Sequence, residues 1–137
     1  MSKVKIYTDG ASRGNPGPAS YAYILTDSGG DEIHRDSGFI GQATNNLAEY
    51  TAVFEALKKA KEIDSKEVEI YSDSRLVVNQ LKGNWKVKSE NLKDLYSKST
   101  QLINGFKEVI LEHVPRENRM VEKADRMCNK KLDSKNY

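Results

Sequence analysis

Apolar and polar residues alternate from Lys3 to Thr8, with Val4 and Ile6 on one face, and the run meets a turn signal at Asp9-Gly10. This predicts a first strand pointing its last residues into the loop Gly10 to Pro18, where Gly14-Asn15-Pro16-Gly17-Pro18 excludes helix. Tyr21 to Thr26 and Glu32 to Ile40 read as two further strands around the turn Asp27-Ser28-Gly29-Gly30-Asp31. The first third is therefore expected to be a three-stranded antiparallel meander. From Asn45 the period changes, and Leu47, Tyr50, Phe54 and Leu57 recur at helical spacing up to the polar run Lys58 to Lys66. Val68, Ile70 and Tyr71 form a short strand, Ser74 to Leu81 a short helix, and Leu92, Leu95, Tyr96, Ser99, Leu102 and Ile103 the stripe of a helix stopped by Gly105. Val109 to Val114 is a fifth strand cut by Pro115, and Val121, Ala124, Cys128 and Leu132 mark a last helix. The order βββαβααβα implies an α/β fold with a five-stranded mixed sheet, three antiparallel strands then two parallel, and helices on both faces.

A chain of 137 residues with 31% charged residues, 9 Gly and 3 Pro suits one domain spanning 1–137. The single cysteine, Cys128, excludes an intramolecular disulfide and a cysteine-rich zinc site. No apolar run approaches the ~20 residues of a bilayer span, and Met1-Ser2-Lys3-Val4-Lys5 leads straight into the first strand. A soluble, cytoplasmic protein with no membrane partner is expected. The net charge of +2 hides an asymmetry: residues 1–81 carry 9 basic and 12 acidic side chains, whereas 82–137 carry 13 and 8. Solvated helix faces account for such a split, and so does a site that uses both signs.

Four acids fall at informative places. Asp9 ends the first strand, Asp73 follows the fourth, Glu49 lies early in the long helix between Leu47 and Tyr50, and Asp125 sits between Ala124 and Cys128. Singly, each has a structural explanation: Asp9 as a turn residue, Asp73 as a helix N-cap, Glu49 as a first-turn acid, Asp125 as a solvated helix position. Strand carboxyl ends are where sites form in open sheets, so Asp9 and Asp73 become neighbours if their strands pair. Two carboxylates 4 Å apart repel by roughly 4 kcal/mol at an effective dielectric near 20, so four together require cations. All-oxygen ligation selects Mg²⁺ or Mn²⁺.

Four segments carry a resemblance: Tyr7-Thr8-Asp9-Gly10-Ala11-Ser12-Arg13-Gly14-Asn15-Pro16-Gly17-Pro18, Thr44-Asn45-Asn46-Leu47-Ala48-Glu49-Tyr50, Tyr71-Ser72-Asp73-Ser74, and Ala124-Asp125. In order and spacing they resemble the motifs of type 1 ribonuclease H over nearly the whole chain. The resemblance implies a metal-dependent endonuclease that cleaves the RNA strand of RNA–DNA hybrids, leaving 5′-phosphate and 3′-hydroxyl ends. Asp9, Glu49, Asp73 and Asp125 match its metal-binding carboxylates, two Mg²⁺ ions bind with substrate, and Mn²⁺ substitutes. Asn15, Asn45 and Asn46 match substrate contacts. Turn chemistry for Asn15 and capping for Asn45 are compatible alternatives. Gly10, Arg13, Thr44, Ser74, Arg75, Trp85, Arg116 and Arg119 complete the expected hybrid-binding set. No obligate protein partner is evident, so a monomer is expected.

The chain departs from the family in two places. Only Gly83 to Ser89 separates the two middle helices, so the extra helix and basic loop of many relatives are missing, leaving Lys82, Trp85, Lys86 and Lys88 to interleave an aromatic with cations. The loop Pro115 to Met120 lacks the family's histidine, His113 and His34 read as structural, and Arg116 or Arg119 is the group placed to reach a phosphate. A hybrid-binding module without cleavage, or a related nuclease-fold enzyme acting on DNA or transferring phosphate, are the competing readings.

Overall fold

The computed structural model describes residues 2–137. The elements are β1 (Lys3–Ser12), β2 (Gly17–Asp27), β3 (Glu32–Ala43), α1 (Asn45–Glu62), β4 (Glu67–Ser72), α2 (Arg75–Leu81), α3 (Glu90–Asn104), β5 (Glu108–His113) and α4 (Arg119–Ser134). The strands form one sheet in the order β3-β2-β1-β4-β5. β1, β2 and β3 pair antiparallel, and β4 lies parallel to both β1 and β5. This is the mixed five-stranded architecture expected from the hydrophobic pattern.

Side-chain alternation assigns the two faces. Val4, Ile6, Tyr23, Leu25, Val68 and Ile70 point to the face covered by α1, where they meet Tyr50, Val53, Ala56 and Leu57. The opposite face is covered by α4, whose Ala124 and Cys128 pack on Ala22 and Ile24. Small residues dominate both contacts: Ala48, Ala52, Ala56 and Ala60 are buried along α1, whereas Phe54, expected in the core stripe, is only half-buried. Small side chains let each helix axis approach the sheet closely, which fixes the position of the acids the helices carry.

Several boundaries differ from expectation, β2 beginning at Gly17 and β3 running on to Ala43, and two of the differences bear on the site. β1 does not stop at Asp9; antiparallel pairing with β2 continues to Ser12 opposite Ala19, while parallel pairing with β4 ends at Tyr7 opposite Tyr71. Asp9 therefore sits inside a strand, just beyond the point where β4 leaves it, and the connection shrinks from the expected Gly10–Pro18 to residues 13–16. At the other end, α4 starts at Arg119. The expected loop from Pro115 to Met120 is cut to residues 114–118 because Asn118 caps the helix, accepting from the Met120 and Val121 amides, both at 3.1 Å.

Candidate active site

Gly10 decides how α1 meets the sheet. A Cβ at this position would lie 2.3 Å from the Ala48 carbonyl carbon and 2.4 Å from the Glu49 nitrogen, so only glycine admits the helix backbone this close. The Gly10 N–H then donates to Glu49 Oε1 at 2.7 Å, which aims the carboxylate at the strand. Asp73 follows β4 directly and is not a helix cap; Ser74 takes that role for α2, accepting from Val77 N at 3.2 Å. As a result Asp9, Glu49 and Asp73 each bring one carboxylate oxygen within 4.8 Å of the others. Asp125 projects from α4 into the same cleft, which comprises two adjoining hollows of about 340 and 360 Å³ sharing Asp9, Asp73, Arg116 and Asp125.

The electrostatics of this cluster are unfavourable as they stand. Burial pushes the Asp9 carboxyl from 3.8 up to about 8, and Asp125 and Asp73 reinforce it, with a smaller opposing contribution from Glu49. Glu49 is likewise raised well above its ordinary value, first by burial and then by Asp9 and Asp73. Asp73 Oδ1 is buried without a hydrogen-bond partner. Crowded carboxylates, an orphaned oxygen and no lysine or arginine paired to any of them among the described residues form a donor set that fits hard divalent cations.

The remaining expected residues divide. Gly10, Asn45, Asn46, Ser74 and Arg116 line the cleft with the acids. Thr44 is the N-cap of α1, accepting from Leu47 N at 3.2 Å, so the capping role considered for Asn45 belongs one residue earlier. Asn45 instead accepts from the Ser12 amide at 3.0 Å, and Asn15 accepts from the Asn45 amide at 3.0 Å. Arg13 does not line the cleft and turns to α4, where it meets Asp133 at 2.8 Å. Arg119 opens on a separate hollow with Tyr7, Lys123 and Arg126, leaving Arg116 as the loop cation facing the acids. Arg75 and Trp85 are exposed outside the cleft. His113 ends β5 opposite Ser72, exposed, and His34 lies against Tyr23 with ring centroids 5.9 Å apart.

Several cleft residues went unmarked in the sequence. Glu117 and Glu122 line it beside Arg116, and Glu122 stands one helical turn before Asp125, a spacing that could have flagged it. Cys128 donates its thiol to the Asp9 carbonyl at 3.4 Å, and Ser20 Oγ donates to the Cys128 carbonyl at 2.8 Å, so α4 is pinned both to β1, which carries Asp9, and to β2.

A mixed sheet with acids converging from β1, α1, the residue after β4, and α4 defines a class of α/β proteins built around a carboxylate-lined cleft. Residues 7–130 match the family described as Reverse transcriptase-like. The chain is 39% identical over 131 residues to the ribonuclease HI of Halobacterium salinarum, covering 96% of this chain and 65% of that protein. It is 40% identical over 133 residues to a bifunctional protein of Mycobacterium tuberculosis, covering 96% of this chain and 36% of that protein. The chain thus spans about two thirds of the first of these curated relatives and about a third of the second. Among solved structures, RNase H1 from Halobacterium salinarum superposes with a TM-score of 0.92 at 38% identity, covering 97% of this chain and 99% of that one. LC11-RNase H1, solved in complex with an RNA/DNA hybrid, superposes with a TM-score of 0.91 at 36% identity, covering 98% and 99%. The chain belongs to the ribonuclease H family.

Proposed function

We propose that this protein hydrolyses the RNA strand of RNA–DNA hybrids, leaving 5′-phosphate and 3′-hydroxyl ends. One observation carries the proposal: three carboxylates meet within 4.8 Å around a buried, unpartnered Asp73 oxygen, in a cleft that also holds a free-standing arginine. Asp9, Glu49, Asp73 and Asp125 would hold two Mg²⁺ ions, with Mn²⁺ able to replace them. When bound, such a pair supplies an activated water on one side of the phosphodiester and charge stabilisation for the departing 3′ oxygen on the other.

The chain's own groups supply binding and orientation. Glu49 is held by the Gly10 amide with its carboxylate beside Asp9 and Asp73, where it can share a cation with them. Arg116 faces the acids and meets the scissile strand as the nearest loop cation. The side-chain amides of Asn45 and Asn46 border the cleft at the start of α1, suited to the wide minor groove where ribose 2′-hydroxyls are read. With four carboxylates neutralised by two divalent ions, the net charge rises from +2 to about +6, which favours a polyanionic substrate. Residues 1–137 are taken as one catalytic domain acting as a monomer. No helix among the described residues is long and apolar enough to cross a membrane.

The test is cleavage of a labelled RNA–DNA hybrid, with both homoduplexes and both single strands as controls, in Mg²⁺, Mn²⁺ or EDTA. Hybrid-specific cutting that needs the metal, and that Asp73→Asn abolishes while hybrid binding persists, is expected. Cutting of the DNA duplex, or wild-type turnover by Asp73→Asn, would overturn the proposal.

A further inference from the structure

We infer that Arg13 is a positioning residue through which the segment from Asp133 to Tyr137 holds the β1–β2 connection in its hybrid-binding geometry. This inference rests on the ribonuclease reading above and concerns how that site is kept in shape. Arg13 belongs to the connection 13–16, yet its side chain crosses to the far end of α4. Nη2 reaches Asp133 Oδ1 at 2.8 Å and donates to the Asn129 carbonyl at 3.3 Å, while Nη1 donates to the Tyr137 carbonyl. The Tyr137 ring is anchored in turn, stacked on Phe39 with centroids 5.5 Å apart and planes 5° apart, and Lys135 Nζ stands 6.0 Å from the same Phe39 ring.

On its other side the connection is tied to α1. Asn15 accepts from the Asn45 amide and Asn45 accepts from the Ser12 amide, both at 3.0 Å, so the connection and the first residue of α1 hold each other. The connection is also tightly folded, since a Cβ at Gly17 would lie 2.2 Å from the Arg13 carbonyl oxygen. Movement of Arg13 is therefore transmitted to Asn15. Within α4 itself, Asn129, a partner of Arg13, also donates its side-chain amide to the Asp125 carbonyl one turn earlier, at 3.1 Å.

Direct contact of Arg13 with substrate is the competing role. Both terminal nitrogens of the guanidinium are already engaged by three residues of the α4 end, and one of these is an aspartate, a poor setting for a phosphate. The Arg13–Asp133 pair is well exposed, so it contributes little to global stability. Its effect belongs in substrate affinity, where coupling through a packed segment typically changes binding about 2- to 30-fold.

The experiment compares wild type with Arg13→Ala, Arg13→Lys, Asp133→Asn and Tyr137→Ala in steady-state cleavage of a labelled hybrid at several salt concentrations. Expected are a raised KM for Arg13→Ala, Asp133→Asn and Tyr137→Ala, an unchanged kcat, partial rescue by Arg13→Lys, and a salt dependence equal to wild type in every variant. A direct phosphate contact predicts a salt slope lower by about one for Arg13→Ala and no loss on Asp133→Asn. That pattern would overturn the inference. Amide hydrogen exchange at Asn45 reads the strap without substrate: faster exchange in Asp133→Asn and Tyr137→Ala supports it, and unchanged exchange overturns it. Failure of the wild type to cleave hybrid would sink the ribonuclease reading alone, leaving the exchange result to decide the strap.

Discussion

Replacing Asp9 by asparagine should stabilise the metal-free protein at pH 8 while removing its response to divalent cations. Asp9 is only 5% exposed and its carboxyl is held at about 8, against 3.8 for an ordinary aspartate. A raised carboxyl binds its proton more tightly in the folded state than in the unfolded one. Stability from this group is therefore complete below about pH 4, falls as pH rises through the interval to about 8, and is gone above it. At roughly 1.36 kcal/mol per pH unit, the displacement from 3.8 to about 8 sets a ceiling near ~6 kcal/mol. Coulomb's law gives a scale for one pair: two carboxylate charges at 4.8 Å, the outer limit of the spacing among these oxygens, repel by roughly 3.5 kcal/mol at an effective dielectric of about 20. Because Glu49 and Asp73 share the strain, a gain of about 2–3 kcal/mol is expected, or roughly 5–10 °C in Tm for a chain of this size.

Thermal melts of wild type and Asp9→Asn in EDTA between pH 5 and 8.5 measure this directly. At pH 5 the wild-type carboxyl is protonated, so the two proteins should melt close together; the gap should then open towards pH 8 in favour of the variant. Mg²⁺ at 100 times its dissociation constant should close the gap at pH 8, since it adds roughly 2.7 kcal/mol to the protein that binds it, about the size of the variant's advantage. A variant that melts below wild type in EDTA at pH 8, or a gap that does not change with pH, would refute the repulsion argument. Equal Mg²⁺ shifts in both proteins would show that the ion binds elsewhere.

Gly10→Ala should cost about 3 kcal/mol or more and strongly reduce activity, because the new methyl meets helix backbone that cannot yield; an unchanged denaturation midpoint would contradict the close approach of α1. Arg116→Ala should lower kcat for hybrid cleavage without abolishing it, whereas Arg119→Ala, facing a different hollow, should leave kcat near wild type; the reverse ranking would place the phosphate on the other side of α4. His113→Ala should keep kcat within a few-fold, and a loss in the range of about 10²–10⁴ in a folded variant would make His113 an acid–base group. Asn118→Ala should lower stability by about 1 kcal/mol through loss of the α4 cap, read from the denaturation midpoint.

The order of strands and helices along the chain, and hence the mixed sheet with helices on both faces, was legible because period-2 and period-3.6 patterns are local properties of the chain. So was the grouping of acids in the cleft, since a carboxylate beside a buried stripe or at the point where a strand leaves its neighbour is costly unless something compensates it. Distances between segments were not legible. That Asp9 lies within β1 follows from β2 pairing on to Ser12 after β4 has left, a register that no single segment encodes. Arg13 lies in a segment whose motif points to substrate, and nothing in that segment announces its contacts with Asp133, Asn129 and Tyr137, which lie more than 110 residues away and become visible only once α4 is docked.

The docking of that helix also explains why the cluster can exist at all. Repulsion among Asp9, Glu49 and Asp73 would drive β1, α1 and β4 apart if they were held only at the cleft, yet each is fastened by contacts on the far side of the acid it carries. Ile6 and Ile70 are buried beneath α1 with Tyr50 and Val53, the Cys128 thiol holds the Asp9 carbonyl, and Gly10 admits the α1 backbone at contact distance. The apolar interfaces thus impose a charge arrangement that would not assemble unaided, and a cation that relieves it gains affinity from strain already present in the folded chain. This ties metal affinity to packing. Cys128→Ala, which removes the donor to the Asp9 carbonyl and leaves a small gap in the seam between α4 and β2, should weaken Mg²⁺-induced stabilisation even though residue 128 touches no ion, and titration of Tm against Mg²⁺ concentration measures the change in midpoint. An unaltered midpoint in a folded variant would mean that the carboxylates are placed by their own segments, with α4 contributing Asp125 and nothing to the geometry of the other three.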